Sequence, residues 1–494
     1  MKYSFTYGIL LSLLLVVGCS SDDVVVEPTE EDVSYTSGSA DFTTFVALGN
    51  SLTAGYCDGA LSLQSQESSL PNILSQQFAL AGGGDFTQPL VSDNLGGVTM
   101  SGVQIFDNRL ILSFANYDPA PVNVSGTPTT DITNVLSGSY NNMGVPGAKI
   151  FHLTAAGYGS LDGLLSGTAN PFFVRFASST DASVISDAMV QNPTFFSLWI
   201  GNNDVLSYAR GGGVGEDQTG NYDPTMYGSE DITDPTVFGS VYNDLLAALT
   251  ANGAKGVVAN IPDITTIPYF TTVPYNPIPL DAATAATIND AFAAYNGGLQ
   301  LAYSYGMITA DEMNKRMIVF AAGENNAMLM EDEYLTDLSA LGMPNYRLTT
   351  QNDLIVLTAQ GIIGTTVNND DTMINGVSVP LGDKWVLTPE EQLVAATAQT
   401  SYNLSIETLA SSYGLAFVDV EGVMYDLANG GITVNGSTLT STYATGGAFS
   451  LDGVHPSSRG YAYLSNVFIA AINSTYGSNL PEVDLLDYTA LYLE

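Results

Sequence analysis

This sequence predicts an α/β fold built on a parallel sheet, on three observations. Short apolar runs recur along the chain at Phe45 to Leu48, Phe195 to Ile200, Gly256 to Asn260 and Leu415 to Val420, each of a length and composition suited to a buried strand. Longer stretches with helical spacing lie between them, bounded by residues that start and stop helices. The first two runs end abruptly in polar clusters, Gly49-Asn50-Ser51 and Gly201-Asn202-Asn203-Asp204. In open α/β sheets the carboxyl edge of the strands is where ligands bind.

Composition bounds the rest. The chain has 494 residues, 45% hydrophobic and only 12% charged, which fits a packed globular protein. Eleven Lys and Arg stand against 50 Asp and Glu, a formal net charge of −39. Such a surface repels phosphate backbones, so nucleic acid is excluded as a natural partner. There are two cysteines, Cys19 and Cys57, and two histidines, His152 and His455. Any mechanism that needs an imidazole base therefore has two candidates.

Lys2 and the apolar run Gly8 to Val17 have the layout of a secretory signal, too short to span a bilayer comfortably. The run ends Val16-Val17-Gly18-Cys19, which resembles a bacterial lipobox, in which Cys19 is acylated after cleavage. Ser20-Ser21-Asp22-Asp23 resembles the acidic tag of surface lipoproteins of the Bacteroidetes type. The expectation is a signal at 1–18, an acidic tether at 19–40 and a lipoprotein of the bacterial outer membrane, exposed at the cell surface. If Cys19 is lipidated, Cys57 has no disulfide partner and reads as a small core residue.

At Thr44 to Tyr56, strand gives way to a helical turn at Ser51. A hydroxyl there sits at the sheet's carboxyl edge beside backbone N–H groups of a helix start, which suits a nucleophile. An ordinary helix cap would use the same residue type. Ala60 to Ala81 reads as a helix ended by Gly82-Gly83-Gly84, and about 85–139 as inserted loops and short strands. Tyr140 to Ala148 holds Gly144, Pro146 and Gly147 in one tight turn, where a backbone N–H can approach a ligand. His152 follows in the next helical turn and reads as structural. Asn203 can donate an amide hydrogen to developing negative charge; an Asx-turn is the plainer reading.

Gly211 to Asp234 reads as a loop and Pro235 to Ala251 as an amphipathic helix. About 264–387 is irregular and reads as an insertion forming part of a pocket or a lid. Its Asn368-Asn369-Asp370-Asp371 lacks calcium-loop spacing and reads as a solvated turn. Thr388-Pro389-Glu390-Glu391 starts a helix that runs to Tyr413 and stops at Gly414. In Asp452-Gly453-Val454-His455-Pro456 the carboxylate and imidazole are three apart on a constrained loop. They can face one another, leaving Nε2 free to aim at a nucleophile; a lone loop histidine with a capping Asp is the alternative.

Together and in this order, Gly49-Asn50-Ser51-Leu52, Gly147, Gly201-Asn202-Asn203-Asp204 and Asp452 to Pro456 resemble the four blocks of the SGNH (GDSL) hydrolase family. Asn50 departs from that pattern, where the family has Asp. The resemblance spans about residues 42–481, within a domain at 41–494. It implies a three-layer α/β/α, flavodoxin-like fold with a mostly parallel sheet. It further implies ester hydrolysis with Ser51 as nucleophile and His455 as base, oriented by Asp452. The oxyanion would be held by the N–H groups of Ser51 and Gly147 and the Asn203 amide, with no metal or cofactor. The implied partner is a small or polymer-borne ester, with acyl lipids and acetylated or feruloylated carbohydrates as rival substrates. A surface glycan-binding or adhesive lipoprotein that has lost activity is the reading from a different class.

Overall fold

The computed structural model describes residues 34–115 and 119–494, so the signal, Cys19 and most of the expected tether lie outside the described residues. The apolar runs form five parallel strands: β1 (Phe45–Gly49), β2 (Asn142–Gly144), β3 (Phe195–Trp199), β4 (Lys255–Ala259) and β5 (Ala416–Val418). Their spatial order is β2-β1-β3-β4-β5. Ala47 pairs with Asn142 on one side and with Ser197 on the other. After β1 the chain crosses to one side of it, and after β2 it returns to the other. The gap between β1 and β3 is therefore the point where the winding reverses and a crevice opens at the carboxyl ends.

Side chains alternate across a strand, so one sheet can supply two cores. Val46, Leu48, Phe196 and Leu198 point to one face. There they pack with Leu245, Leu246 and Leu249 of α3 (Pro235–Thr250) and with Ala395, Tyr402 and Ile406 of α5 (Pro389–Tyr413). Phe45, Ala47, Phe195 and Val257 point to the other. There they meet Leu70, Leu74 and Phe78 of α1 (Leu70–Leu80) and Phe468, Ile469 and Ile472 of α7 (Ser458–Tyr476). Each fully buried Leu, Ile or Phe contributes roughly 1.5–3 kcal/mol. The result is the three-layer α/β/α arrangement. Two further helices bear on the site: α2 (Asn203–Arg210) after β3, and α6 (Val420–Ala428) after β5. The long helix of the second insertion is α4 (Ala282–Ser304).

Several boundaries differ from expectation. Ala60 to Ala81 is two helices, Leu63–Glu67 and α1, because Ser62 caps the first and Pro71 opens the second. The helical turn after Gly147 is a short 3₁₀ segment, Ile150–Leu153. Asn368 and Asn369, both at positive φ, make a two-residue hairpin turn between Thr366–Val367 and Asp370–Ile374. The end of the stretch read as tether is docked: Thr36 N donates to Asn479 Oδ1 at 2.6 Å, Ser39 N to the Tyr476 carbonyl at 2.8 Å, and Ala40 is buried. Tyr35–Glu494 forms one compact unit. Among the described residues no helix is long and apolar enough to cross a membrane.

Candidate active site

Ser51 lies at the end of β1, first in a single helical turn, Ser51–Ala54. Asn50 caps that turn, its Oδ1 accepting from Leu52 N at 3.0 Å. Its Nδ2 donates to Asn202 Oδ1 at 3.3 Å, across the gap to the end of β3. An aspartate at position 50 could not make that donation, so the departure at Asn50 is matched by a neutral partner at Asn202.

His455 is on the loop before α7. Its Nε2 is 2.8 Å from Ser51 Oγ, and its Nδ1 is 2.7 Å from Asp452 Oδ2. The three side chains form one hydrogen-bonded chain. Asp452 is held from several sides: Oδ1 accepts from Val454 N and His455 N, each at 2.9 Å, and from Ser450 Oγ at 3.1 Å, while Oδ2 also accepts from Gly59 N at 2.9 Å. Burial disfavours its charge, but the electrostatic pull and hydrogen bond of the His455 ring and the loop N–H groups outweigh that. The carboxyl stays well below the usual range and is ionised. An ionised Asp452 on Nδ1 sets the tautomer that leaves Nε2 as acceptor toward the hydroxyl.

The oxyanion candidates converge on the same place. Gly147, at φ +81, lines the cleft beside Ser51 and His455. Asn170 fixes the turn, its Nδ2 donating to the Pro146 carbonyl at 2.8 Å. Among the described residues, neither the Ser51 N–H nor the Gly147 N–H has a hydrogen-bond partner within the protein. Asn203 borders the cleft too, and one Nδ2 hydrogen goes to the Ala148 carbonyl at 3.0 Å. That bond aims the amide and leaves its second hydrogen free. Gly201 makes this placement possible: a Cβ there would lie 2.8 Å from Ile261 and Phe238, so only glycine lets β3 turn at once into α2.

Asp204 ties the segment after the Gly147 turn to the start of α2. It accepts from Ile150 N at 3.0 Å and from Thr233 Oγ1 at 2.7 Å, fully buried. Burial pushes its carboxyl up to about 6, with Thr233 and Lys149 pulling it back. His152 stands apart: it accepts from Lys149 N and stacks on Tyr158, and burial, with Lys149 nearby, lowers it to about 4. It is a neutral structural ring.

Two recesses meet at Ser51, Asn203 and His455. One is a narrow apolar recess of about 80 Å³, walled by Trp199, Ile267, Val423, Met424, Leu427 and Leu464. The other is an open cleft of about 380 Å³ bordered by Tyr56, Phe106, Phe172 and Arg210. No family model matches the chain, and no curated relative does. Solved structures resemble it distantly. An α/β hydrolase enzyme from the metagenome of Lake Arreo, Spain, is 11% identical with a TM-score of 0.31, over 88% of this chain and 96% of that one. A catalytic mutant of an acetylxylan esterase from Geobacillus stearothermophilus is 10% identical with a TM-score of 0.30, over 87% and 93%. An extracellular lipase from Streptomyces rimosus is 10% identical with a TM-score of 0.28, over 87% and 98%.

Sequence reasoning missed the parts that support the site. Cys57-Asp58-Gly59 clasps the histidine loop: Asp58 N donates to Ser450 Oγ at 3.0 Å and Asp58 Oδ1 accepts from Leu451 N at 2.9 Å. Cys57 is a buried free thiol beside it. Helix α6 was also missed, although Asp419 as cap followed by apolar residues at 420, 423, 424 and 427 is a legible pattern. Phe106 and Ile267 reach the site from the two insertions, and Tyr269 N ties the second to the Gly453 carbonyl at 2.9 Å.

Proposed function

We propose that this chain is a serine ester hydrolase of the SGNH (GDSL) type, acting through an acyl-enzyme on Ser51. The observation that carries the reading is the hydrogen-bonded chain from Ser51 Oγ through the His455 imidazole to Asp452. Ser51 Oγ attacks the ester carbonyl while its proton passes to His455 Nε2. The carbonyl oxygen gains a negative charge between the Ser51 and Gly147 N–H groups and the free Asn203 amide hydrogen. As the intermediate collapses, the carbon–oxygen bond to the alcohol breaks and His455 returns the proton to the leaving oxygen. Water then attacks the acyl-enzyme with His455 again as base, releasing the acid and restoring Ser51. Asp452 remains ionised and supports the imidazolium at each step.

The narrow apolar recess, walled by large aliphatic side chains, supports an acyl chain longer than acetyl, and the open aromatic cleft suits the alcohol part. A second reading, an esterase acting on acylated carbohydrate, draws on that cleft, where Tyr56, Phe106 and Phe172 offer faces for a sugar ring. Attachment to an outer membrane through Cys19 rests on the sequence alone. The test is labelling by a serine-reactive phosphonate together with hydrolysis of p-nitrophenyl esters from acetyl to dodecanoyl. Labelled wild type, unlabelled Ser51→Ala and a preference above acetyl are expected. Turnover by a folded Ser51→Ala variant at the wild-type rate contradicts the mechanism, and an acetyl optimum favours the carbohydrate reading.

A further inference from the structure

Arg210 ends α2, exposed, in the wall of the open cleft that holds Ser51, Gly147 and His455. Most other cations of this acidic chain are committed. Lys315, Arg316 and Arg347 pair with carboxylates. Arg109, Lys149, Arg175, Lys255 and Arg459 donate to backbone carbonyls. Among the described residues Arg210 has neither kind of partner. Its guanidinium lies over the Tyr269 ring at 5.3 Å, a contact that orients the plane while leaving its N–H donors unused. Its positive field reaches the Tyr56 phenol, whose ring is 4.8 Å from that of His455.

In a chain of net charge −39, an unpaired guanidinium at the catalytic mouth is the feature that surface composition does not account for. We propose that Arg210 selects esters whose alcohol part carries an anionic group, a carboxylate or a phosphate. With the acyl chain in the apolar recess and the carbonyl at Ser51, the leaving group extends into the open cleft. An anion on it meets the Arg210 fork, which takes planar oxyanions by paired hydrogen bonds. The surrounding negative field raises the contrast: without Arg210, an anionic ester would be repelled from the mouth. This inference rests on the proposed serine mechanism and assigns the specificity of its leaving-group side.

The experiment compares four substrates on the full-length protein: ortho-nitrophenyl octanoate and its ring-carboxylated counterpart, and monooctanoylglycerol and its phosphate monoester. For wild type and Arg210→Gln the ratio of kcat/KM, anionic to neutral, is measured within each pair. The ratio is expected to fall about five- to tenfold in Arg210→Gln, chiefly through KM, and to recover partly in Arg210→Lys. A fall in the carboxylate pair alone, or in the phosphate pair alone, supports the proposal and names the anion. Equal losses on charged and neutral esters, or an unchanged ratio in both pairs, overturn it. Loss of all turnover in wild type, or its survival in Ser51→Ala, instead strikes the serine mechanism.

Discussion

At the scale of single residues, the site depends on how few hydrogens are left unspent. Asn203 donates one amide hydrogen to the Ala148 carbonyl and has one to offer substrate. Asn203→Ala is expected to lower kcat by about 10²–10³ with KM little changed, as measured by steady-state kinetics. A loss below tenfold would make Asn203 a turn residue only. Asp58 carries a different prediction. Burial first, and then neighbouring Asp452, push its carboxyl from 3.8 to about 6, against the pull of Leu451 N–H. The folded state thus holds the proton more tightly than the unfolded chain. Between about pH 4 and 6 stability falls as pH rises, and above that the cost of the ionised group stays in full. Asp204 acts in the same direction. Asp58→Asn keeps an acceptor for Leu451 N and suits the positive φ of this position, φ 55. Urea melts across this window are expected to show a shallower slope in the variant, with a gain at pH 7 on the order of 2 kcal/mol. Parallel slopes would show that Asp58 is ionised throughout.

Among elements, α6 shapes the apolar recess proposed for the acyl chain. Val423, Met424 and Leu427 form one wall of it, and Asp419 anchors the helix start by accepting from Gly422 N. Met424→Trp fills the recess from this wall. The preference for octanoyl over acetyl esters is expected to drop about tenfold or more, read from kcat/KM on both. An unchanged preference would place the acyl chain elsewhere. The same helix shows where sequence reading ran short. Strands β1, β3 and β4 were legible because full burial leaves unbroken apolar runs, and α5 because Thr388, Pro389, Glu391 and Gly414 mark both ends. Helix α6 is nine residues and follows β5 after one residue, so its apolar positions, though helically spaced, run on from the strand's and hide its start. Ser51, Asp452 and His455 stood out through the polar clusters that interrupt apolar runs. Their supports Gly59 and Ser450, and Asn170 behind the Gly147 turn, act through backbone groups or small polar side chains that many surface turns also contain. Arg210 is a helix-end cation by sequence, and only the fold brings it to the cleft that Ser51 also lines.

Across the whole molecule, charge and topology set the terms. A net charge of −39 makes the fold repel itself, and added salt screens that repulsion. Raising sodium chloride from ~10 mM to ~300 mM is expected to raise Tm by a few degrees, followed by circular dichroism. A falling Tm would mean that pairs such as Arg347 with Asp332 and Asp353 outweigh the general repulsion. The stretch from Thr36 to Ala40 adds a consequence of its own. Ser39 takes the Lys255 ammonium at the entry of β4, and its N–H meets the last turn of α7. Ser51 is at the exit end of the neighbouring parallel strands. The docked stretch from Thr36 to Ala40 is therefore fastened at the entry end of the strands, while the cleft that Ser51 lines opens at their exit end, so the two ends of one sheet are tied down by separate sets of hydrogen bonds.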